Sequence, residues 1–216
     1  GQLNSATISG VPMIGQTMAD SLAFLKKTAD EILPKSMSYD YSGESRALMS
    51  EGNALLYTFV FALVIIFLVL AAQFESFTDP LIILVSVPMA ICGALIPLAL
   101  GLTSINIYSQ IGLVTLIGLI TKHGILMVEF ANKLKEEENL NVRAAIEKSA
   151  SIRLRPILMT TAAMVLGTFP LVIATGAGAA SRFSIGLVIV TGLTIGTLFT
   201  LFVVPTVYTL ISKEKK

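Results

Sequence analysis

IGLVTLIGLITKHGILMVEFA, residues 111–131, is the stretch that decides the fold, because it is a membrane-length apolar run with charge at its centre. About 20 helical residues at 1.5 Å rise make roughly 30 Å, enough to cross a bilayer. Lys122 and His123 nevertheless sit at its middle, and Glu129 follows near its far end. An ionisable group at that depth costs a few kcal/mol on insertion, so it should face protein or a water-filled cavity and have a partner. A spacing of seven puts Lys122 and Glu129 on one helical face, with His123 on another. Two readings of Lys122 stand. It snorkels to the headgroups, which suits a residue near a helix end, or it serves function, the default for a mid-membrane charge. His123 reads as a hydrogen-bonded packing residue or as a proton shuttle. Glu129 lies close enough to the interface to be simply solvated.

The rest of the composition agrees with a membrane setting. Apolar residues make up 54% of the chain, charged residues 13%, and the mean hydropathy is +0.81, which describes a polytopic membrane protein rather than a soluble domain. No basic run with interleaved aromatics occurs outside the membrane-flanking segments, so nucleic acid is excluded as a partner. The one cysteine, Cys92, lies inside an apolar run and has no internal disulfide partner. The chain opens Gly1-Gln2-Leu3, with neither an initiator Met nor a signal peptide, and reads as a piece of a longer chain.

In chain order, residues 1–43 read as a small β-α-β unit at the edge of a larger extramembrane domain. Ser5–Ser9 suits a strand. Thr17 starts a helix with Asp20 three residues on, a capping-box pattern, and Pro34 stops it. Met37–Tyr41 alternates like a half-buried strand and Gly43 ends it. Residues 44–52 form a linker helix into a transmembrane domain over 53–212. Its five spans are expected at about 53–72, 81–100, 111–131, 156–174 and 183–211, and a basic tail closes the chain at 213–216. Pro88 and Pro97 should bend the second span. The long connection 133–155 should hold a short amphipathic helix lying on the membrane surface, its apolar face made by Val142, Ala145, Ile146 and Ala150. Gly192 and Gly196 form a G-x-x-x-G pair, which permits close helix approach but is common in spans.

Charge sets the orientation. The 133–155 connection carries six Lys/Arg and the tail three, against Arg182 alone in the loops of the opposite side. The positive-inside rule puts that connection and the C-terminus in the cytoplasm and residues 1–50 outside. No Asp or Glu lies in the middle of any span, so the counter-ion of Lys122 must come from elsewhere in a longer chain or from another subunit. A lysine facing carboxylates gains and loses its ion pair as they protonate, which suits a proton relay. Thr160 can add a hydroxyl to such a network or bond its own backbone. Arg153 can guard a cytoplasmic proton path or anchor its helix at the interface.

Three long stretches carry a family resemblance: LVIIFLVLAAQFESFTDPLIILVSVPMAICGAL from Leu63, IGLVTLIGLITKHGILMVEFANKL from Ile111, and RLRPILMTTAAMVLGTFPLVIATGAGA from Arg153. They resemble the resistance-nodulation-division (RND) exporters, in the hydrophobe/amphiphile, acriflavine-resistance type branch, and the likeness covers essentially the whole chain. It implies a mainly α fold: the close of a periplasmic porter subdomain followed by the last five transmembrane helices of an inner-membrane pump. It also implies a proton-driven antiporter of the bacterial inner membrane that works as a homotrimer. Such a pump uses the proton-motive force rather than a cofactor. It would join a periplasmic adaptor protein and an outer-membrane channel to export amphipathic drugs, dyes, detergents or bile salts. The family's intramembrane lysine falls on Lys122, its relay threonine on Thr160 and its cytoplasmic-side arginine on Arg153, while its aspartate pair lies on an earlier helix. His123 departs from the family's best-known multidrug members, which carry Asn there, and its place in the relay stays open.

Four other readings stand beside this one, among them a protein-translocase accessory of the same superfamily, which shares the helix count but should lack the 122–130 segment KHGILMVEF. A heavy-metal exporter of the same superfamily would want Met, His or carboxylate ligands along the path, and Met89, Met127, Met159 and Met164 are dispersed. An intramembrane protease would want paired Asp, H-E-x-x-H or a Ser–His dyad, which the spans lack. A non-transporting structural membrane subunit is opposed chiefly by Lys122.

Overall fold

The structure, a computed structural model, describes residues 5–13, 16–34 and 36–212. Seven helices follow one another: α1 (Met18–Ile32), α2 (Gly43–Phe74), α3 (Thr78–Leu84), α4 (Ser86–Ala99), α5 (Ile107–Glu137), α6 (Val142–Val172) and α7 (Ala179–Ile211). Five membrane-length apolar helices result, with α3 and α4 acting as one. The expected multi-pass, mainly helical fold is present. The basic tail 213–216 lies outside the described residues.

The expected β-α-β unit is not formed. Among the described residues there is no strand, and Ser5–Ser9 and Met37–Tyr41 run without a ladder. An extended segment becomes a strand only when a neighbour pairs with its N–H and C=O groups, and neither stretch has one here. Ile8, Val11 and Met13 are correspondingly bare. The helix between them does form. Thr17 caps it reciprocally with Asp20: the Asp20 amide donates to Thr17 Oγ1 at 3.1 Å and Thr17 Oγ1 donates to Asp20 Oδ2 at 2.6 Å.

Pro88 acts as expected from the sequence. The second span breaks at Val85, one turn before the proline that cannot donate to the Leu84 carbonyl, and this divides α3 from α4. A second difference concerns the 133–155 connection. It is only four residues, 138–141, because α5 runs on to Glu137 and α6 begins at Val142. Asn139 turns the chain in the left-handed region, and Asn141 Oδ1 accepts from the Ala144 amide at 2.8 Å to start α6. The amphipathic segment is therefore the first part of α6, continuous through Pro156. Its apolar face meets protein: Val142, Ala145 and Ile146 are buried, and Ser149 Oγ donates to the Met127 carbonyl of α5 at 2.7 Å.

Helix α7 is the hub. It packs on α4, α5 and α6, with one core cluster around Ala90, Leu116, Ile120 and Leu193 and another around Ile83, Met127, Ile146 and Tyr208. The Gly192/Gly196 pair sits in this packing, facing Ala94 and Leu116 at the first glycine and Ala90 at the second. In the most apolar 18-residue stretch of each span, 44–50% of the residues are buried in α3/α4, α5 and α7, against 6% in Tyr57–Phe74 of α2 and 11% in α6. Helices α2 and α6 thus form an outer layer whose apolar faces suit lipid or further protein, not water.

Candidate functional site

The site is built on α5. Asn106 caps the helix, its Oδ1 accepting from the Ser109 amide at 2.8 Å while its own amide donates to Ser109 Oγ at 2.9 Å. Its Nδ2 also donates to Ser184 Oγ at 3.3 Å, which ties the start of α5 to α7. Two glycines let neighbours close in. A Cβ at Gly112 would lie 3.1 Å from Val188 of α7, and one at Gly124 would lie 3.0 Å from Ile83 of α3.

These contacts fix which side of α5 is covered. Leu116, Ile117, Ile120, His123, Met127 and Ala131 face the bundle and are buried. Ile111, Thr115, Gly118, Lys122 and Glu129 form an open stripe along the other side. Lys122 and Glu129 share a face, as their spacing required. Among the described residues, Lys122 forms no ion pair and no hydrogen bond. Glu129 lies beside Asn132 and Lys133 in an open polar groove of about 1200 Å³ toward the C-terminal end of α5.

His123 points the other way. Its side chain is fully buried, and its ring nitrogens reach two helices: Nε2 lies 3.4 Å from Thr161 Oγ1 of α6, and Nδ1 lies 3.3 Å from Thr197 Oγ1 of α7. The two hydroxyls are themselves 3.2 Å apart. Neither threonine stood out in the sequence, because a hydroxyl in a membrane helix usually satisfies itself on its own preceding turn. The reading of His123 as a hydrogen-bonded packing residue implied partners without naming them.

Thr160 and Arg153 lie on α6. The Thr160 hydroxyl is half-buried and donates into its own helix, toward the Pro156 and Ile157 carbonyls at 3.0 and 2.9 Å. Arg153 stacks its guanidinium over Phe130 of α5 at 4.5 Å, and its buried Nε has no hydrogen-bond partner among the described residues. The structure therefore joins α5 to α6 through Arg153–Phe130 and His123–Thr161. Among the described residues, Lys122 makes no hydrogen bond or ion pair with either Thr160 or Arg153. A further polar chain was not read from sequence: Asn132 Nδ2 donates to the buried Asp79 carboxylate at 2.9 Å, and Tyr208 Oη donates to Asn132 Oδ1 at 2.6 Å, linking α3, α5 and α7. Among the described residues, no three His, Cys, Asp or Glu side chains cluster as a metal site would require.

The sequence matches the AcrB/AcrD/AcrF family over residues 1–212. The chain belongs to this family. It is 55% identical, over its whole length, to an uncharacterized transporter of Haemophilus influenzae, covering 21% of that protein. It is 38% identical over 95% of its length to the toluene efflux pump membrane transporter TtgB of Pseudomonas putida, covering 19% of it. To the multidrug export protein AcrF of Escherichia coli it is 36% identical over 98% of its length, covering 20% of that protein. The chain thus spans about a fifth of the length of the curated relatives it matches. These AcrB/AcrD/AcrF-family relatives are named as transporters and not as enzymes, which removes the intramembrane protease from consideration.

Proposed function

We propose that this chain forms part of the transmembrane domain of a proton-driven RND efflux pump, and that Lys122 serves its proton relay. The observation that carries the reading is the position of Lys122: mid-helix in α5, on the stripe the bundle leaves open, with its charge unmatched among the described residues. A charge at mid-membrane depth calls for a carboxylate partner, and the open stripe gives one room to approach. When the carboxylate is ionised it pairs with the ammonium. When it takes up a proton the pair dissolves, Lys122 is released, and the partner helix can shift relative to α5. Thr160 offers a hydroxyl one helix away, if it exchanges its backbone bond for the relay. Arg153, toward the N-terminal end of α6, guards the proton exit on the cytoplasmic side. Helix movement then drives alternating access in the porter domain, to which residues 1–43 contribute an edge. The stretches Ser5–Ser9 and Met37–Tyr41 would gain their ladder partners there.

The reading further places the pump in the bacterial inner membrane, with residues 1–50 periplasmic and the C-terminus cytoplasmic. It works as a homotrimer in contact with lipid, joins a periplasmic adaptor protein and an outer-membrane channel, and draws on the proton-motive force without a cofactor. Its cargo is amphipathic small molecules, in keeping with relatives named for multidrug export and toluene efflux. The test is dye efflux from cells carrying the full-length pump with Lys122→Ala at matched protein level. Efflux falling to that of pump-free cells, with trimer assembly intact, is the expected result. Unchanged efflux would reduce Lys122 to a snorkelling side chain and remove the relay.

A further inference from the structure

His123 follows Lys122 in sequence, and the proposed relay leaves its role open. We propose that His123 is a positioning residue: with Thr161 and Thr197 it forms a buried imidazole–hydroxyl knot that holds α5 and α6 in the register at which Lys122 and Thr160 act. The proposal rests on the relay reading for its functional meaning and on the knot's geometry for its mechanism.

Two neighbouring pairs of residues carry it. On α5, Lys122 is exposed and His123 fully buried; on α6, Thr160 is half-buried and Thr161 buried. The two inward members meet, with Nε2 of His123 3.4 Å from Thr161 Oγ1. Successive helical residues are separated by a fixed angle of about 100°. Holding His123 and Thr161 together therefore sets the direction of Lys122 and Thr160 as well. Thr197 anchors the knot to α7 through Nδ1 at 3.3 Å, and α7 is the helix on which the bundle is assembled. Rotation of α5 alone would break both contacts.

The hydrogen-bond inventory closes. A neutral imidazole has one N–H donor and one acceptor nitrogen. With the proton on Nε2, it donates to Thr161 Oγ1, Thr161 donates to the Ile157 carbonyl at 2.9 Å, and Thr197 donates to Nδ1. With the proton on Nδ1, it donates to Thr197, Thr197 donates to Thr161 across 3.2 Å, and Thr161 donates to Nε2. Both tautomers are satisfied, so the knot fixes position without requiring a proton to enter or leave. Among the described residues, the hydrogen-bond partners of the His123 side chain are these two hydroxyls, and no ionisable side chain bonds to it. A carboxamide also supplies one donor group and one acceptor. A leucine supplies neither.

The experiment uses the full-length pump carrying His123→Gln, His123→Leu or Thr197→Val. Dye efflux is measured against dye concentration, and amide exchange over residues 116–130 is followed in the purified pump. For His123→Leu, the expected result is an efflux rate down by about tenfold, the scale of losing a buried hydrogen-bonded pair, at an unchanged half-saturating dye concentration and with faster exchange in α5. Thr197→Val, which removes one hydroxyl at nearly constant volume, should move both readouts the same way and carries the test if the leucine variant fails to assemble. His123→Gln should retain efflux. Wild-type efflux in both the leucine and valine variants would overturn the proposal, as no knot would then be needed. So would a glutamine variant as inactive as leucine with normal α5 exchange, because His123 would then be carrying protons. Lys122→Ala in parallel separates the two readings: if it retains efflux, the relay falls, while exchange in α5 still reports on the knot alone.

Discussion

Replacing Gly196 by alanine would place a Cβ 2.7 Å from the Cβ of Ala90 and 2.9 Å from its Cα, where α7 crosses α4. Ordinary contact begins near 3.4 Å, so the Cβ–Cβ approach is 0.7 Å too close. The obstacle is a methyl fixed to backbone and the backbone itself, and neither can rotate away. The helices must part by about half an ångström. A gap of that size forfeits about a quarter of each contact, and at about 0.15 kcal/mol per atom pair over roughly 40 pairs the loss is about 1.5 kcal/mol. Gly192→Ala is the control. It removes the same helical glycine, so the gain in helix propensity, about 1 kcal/mol, cancels in the comparison. Its new Cβ would meet Leu116 Cδ2 at 2.4 Å, but that is the far end of a rotatable side chain, and Ala94 Cβ stands at 3.2 Å. Thermal unfolding of the detergent-solubilised pump should find Gly196→Ala less stable than Gly192→Ala by about 1–2 kcal/mol, within the range for overpacking. Equal stability, or a worse result at Gly192, would refute the claim that backbone approach at Gly196 limits this crossing.

Two further outcomes follow from the polar contacts. Tyr208→Phe removes the hydroxyl that donates to Asn132 and leaves a part-buried acceptor unmatched, so stability should fall by about 1–2 kcal/mol. Because Asn132 also holds Asp79, Tyr208→Phe and Asp79→Ala should be non-additive by at least about 0.5 kcal/mol in a double-mutant cycle, and strict additivity would show that the chain does not act as a unit. At the N-terminus of α1, the Thr17 hydroxyl and then its amide hold the Asp20 carboxyl below its ordinary value of 3.8. A carboxyl depressed by folding contributes above its unfolded value, and that contribution is lost as pH falls through the lower, folded one. Amide protection in the first turn of α1 should decline over that acid range in the wild type, and Thr17→Ala, which removes the hydroxyl but keeps the amide, should weaken that pH dependence.

The sequence made the five spans legible because length and hydropathy are local properties, and it placed Lys122 and Glu129 on one side of α5 by spacing alone. It did not show which side the bundle would cover. Other features depended on distant partners. Asp79 lies between the expected spans 53–72 and 81–100, yet it is buried and held by Asn132, 53 residues on. Thr161 and Thr197 meet His123 from 38 and 74 residues away, and no local pattern marks them. The opposite error arose at residues 133–155, where Pro156 suggested the start of a span. A proline removes one backbone bond, and the Ser149 contact to Met127 together with the buried Val142 and Ile146 outweighs that loss and keeps α6 continuous. The strands at Ser5–Ser9 and Met37–Tyr41 could not be settled by propensity, since a strand is a property of a pair.

The glycines of α5 connect packing to function. Gly112 and Gly124 lie on the covered side, where α7 and α3 close to within about a Cβ's reach. Gly118 lies on the open stripe, one turn before Lys122, and a Cβ there would meet nothing within 4 Å among the described residues. A glycine inside a helix costs about 1 kcal/mol relative to alanine, and at Gly112 and Gly124 close packing offsets that cost. No contact within the described bundle offsets it at Gly118. A carboxylate-bearing helix that approached Lys122 would cross α5 at this level, and the missing side chain would bring its backbone close enough for a short carboxylate to reach the ammonium. The covered face, held by the His123 knot, would then keep the orientation of α5 while the open face exchanges partners. Alternating ion pairing can move helices only if the lysine's helix is held by something other than the pair itself.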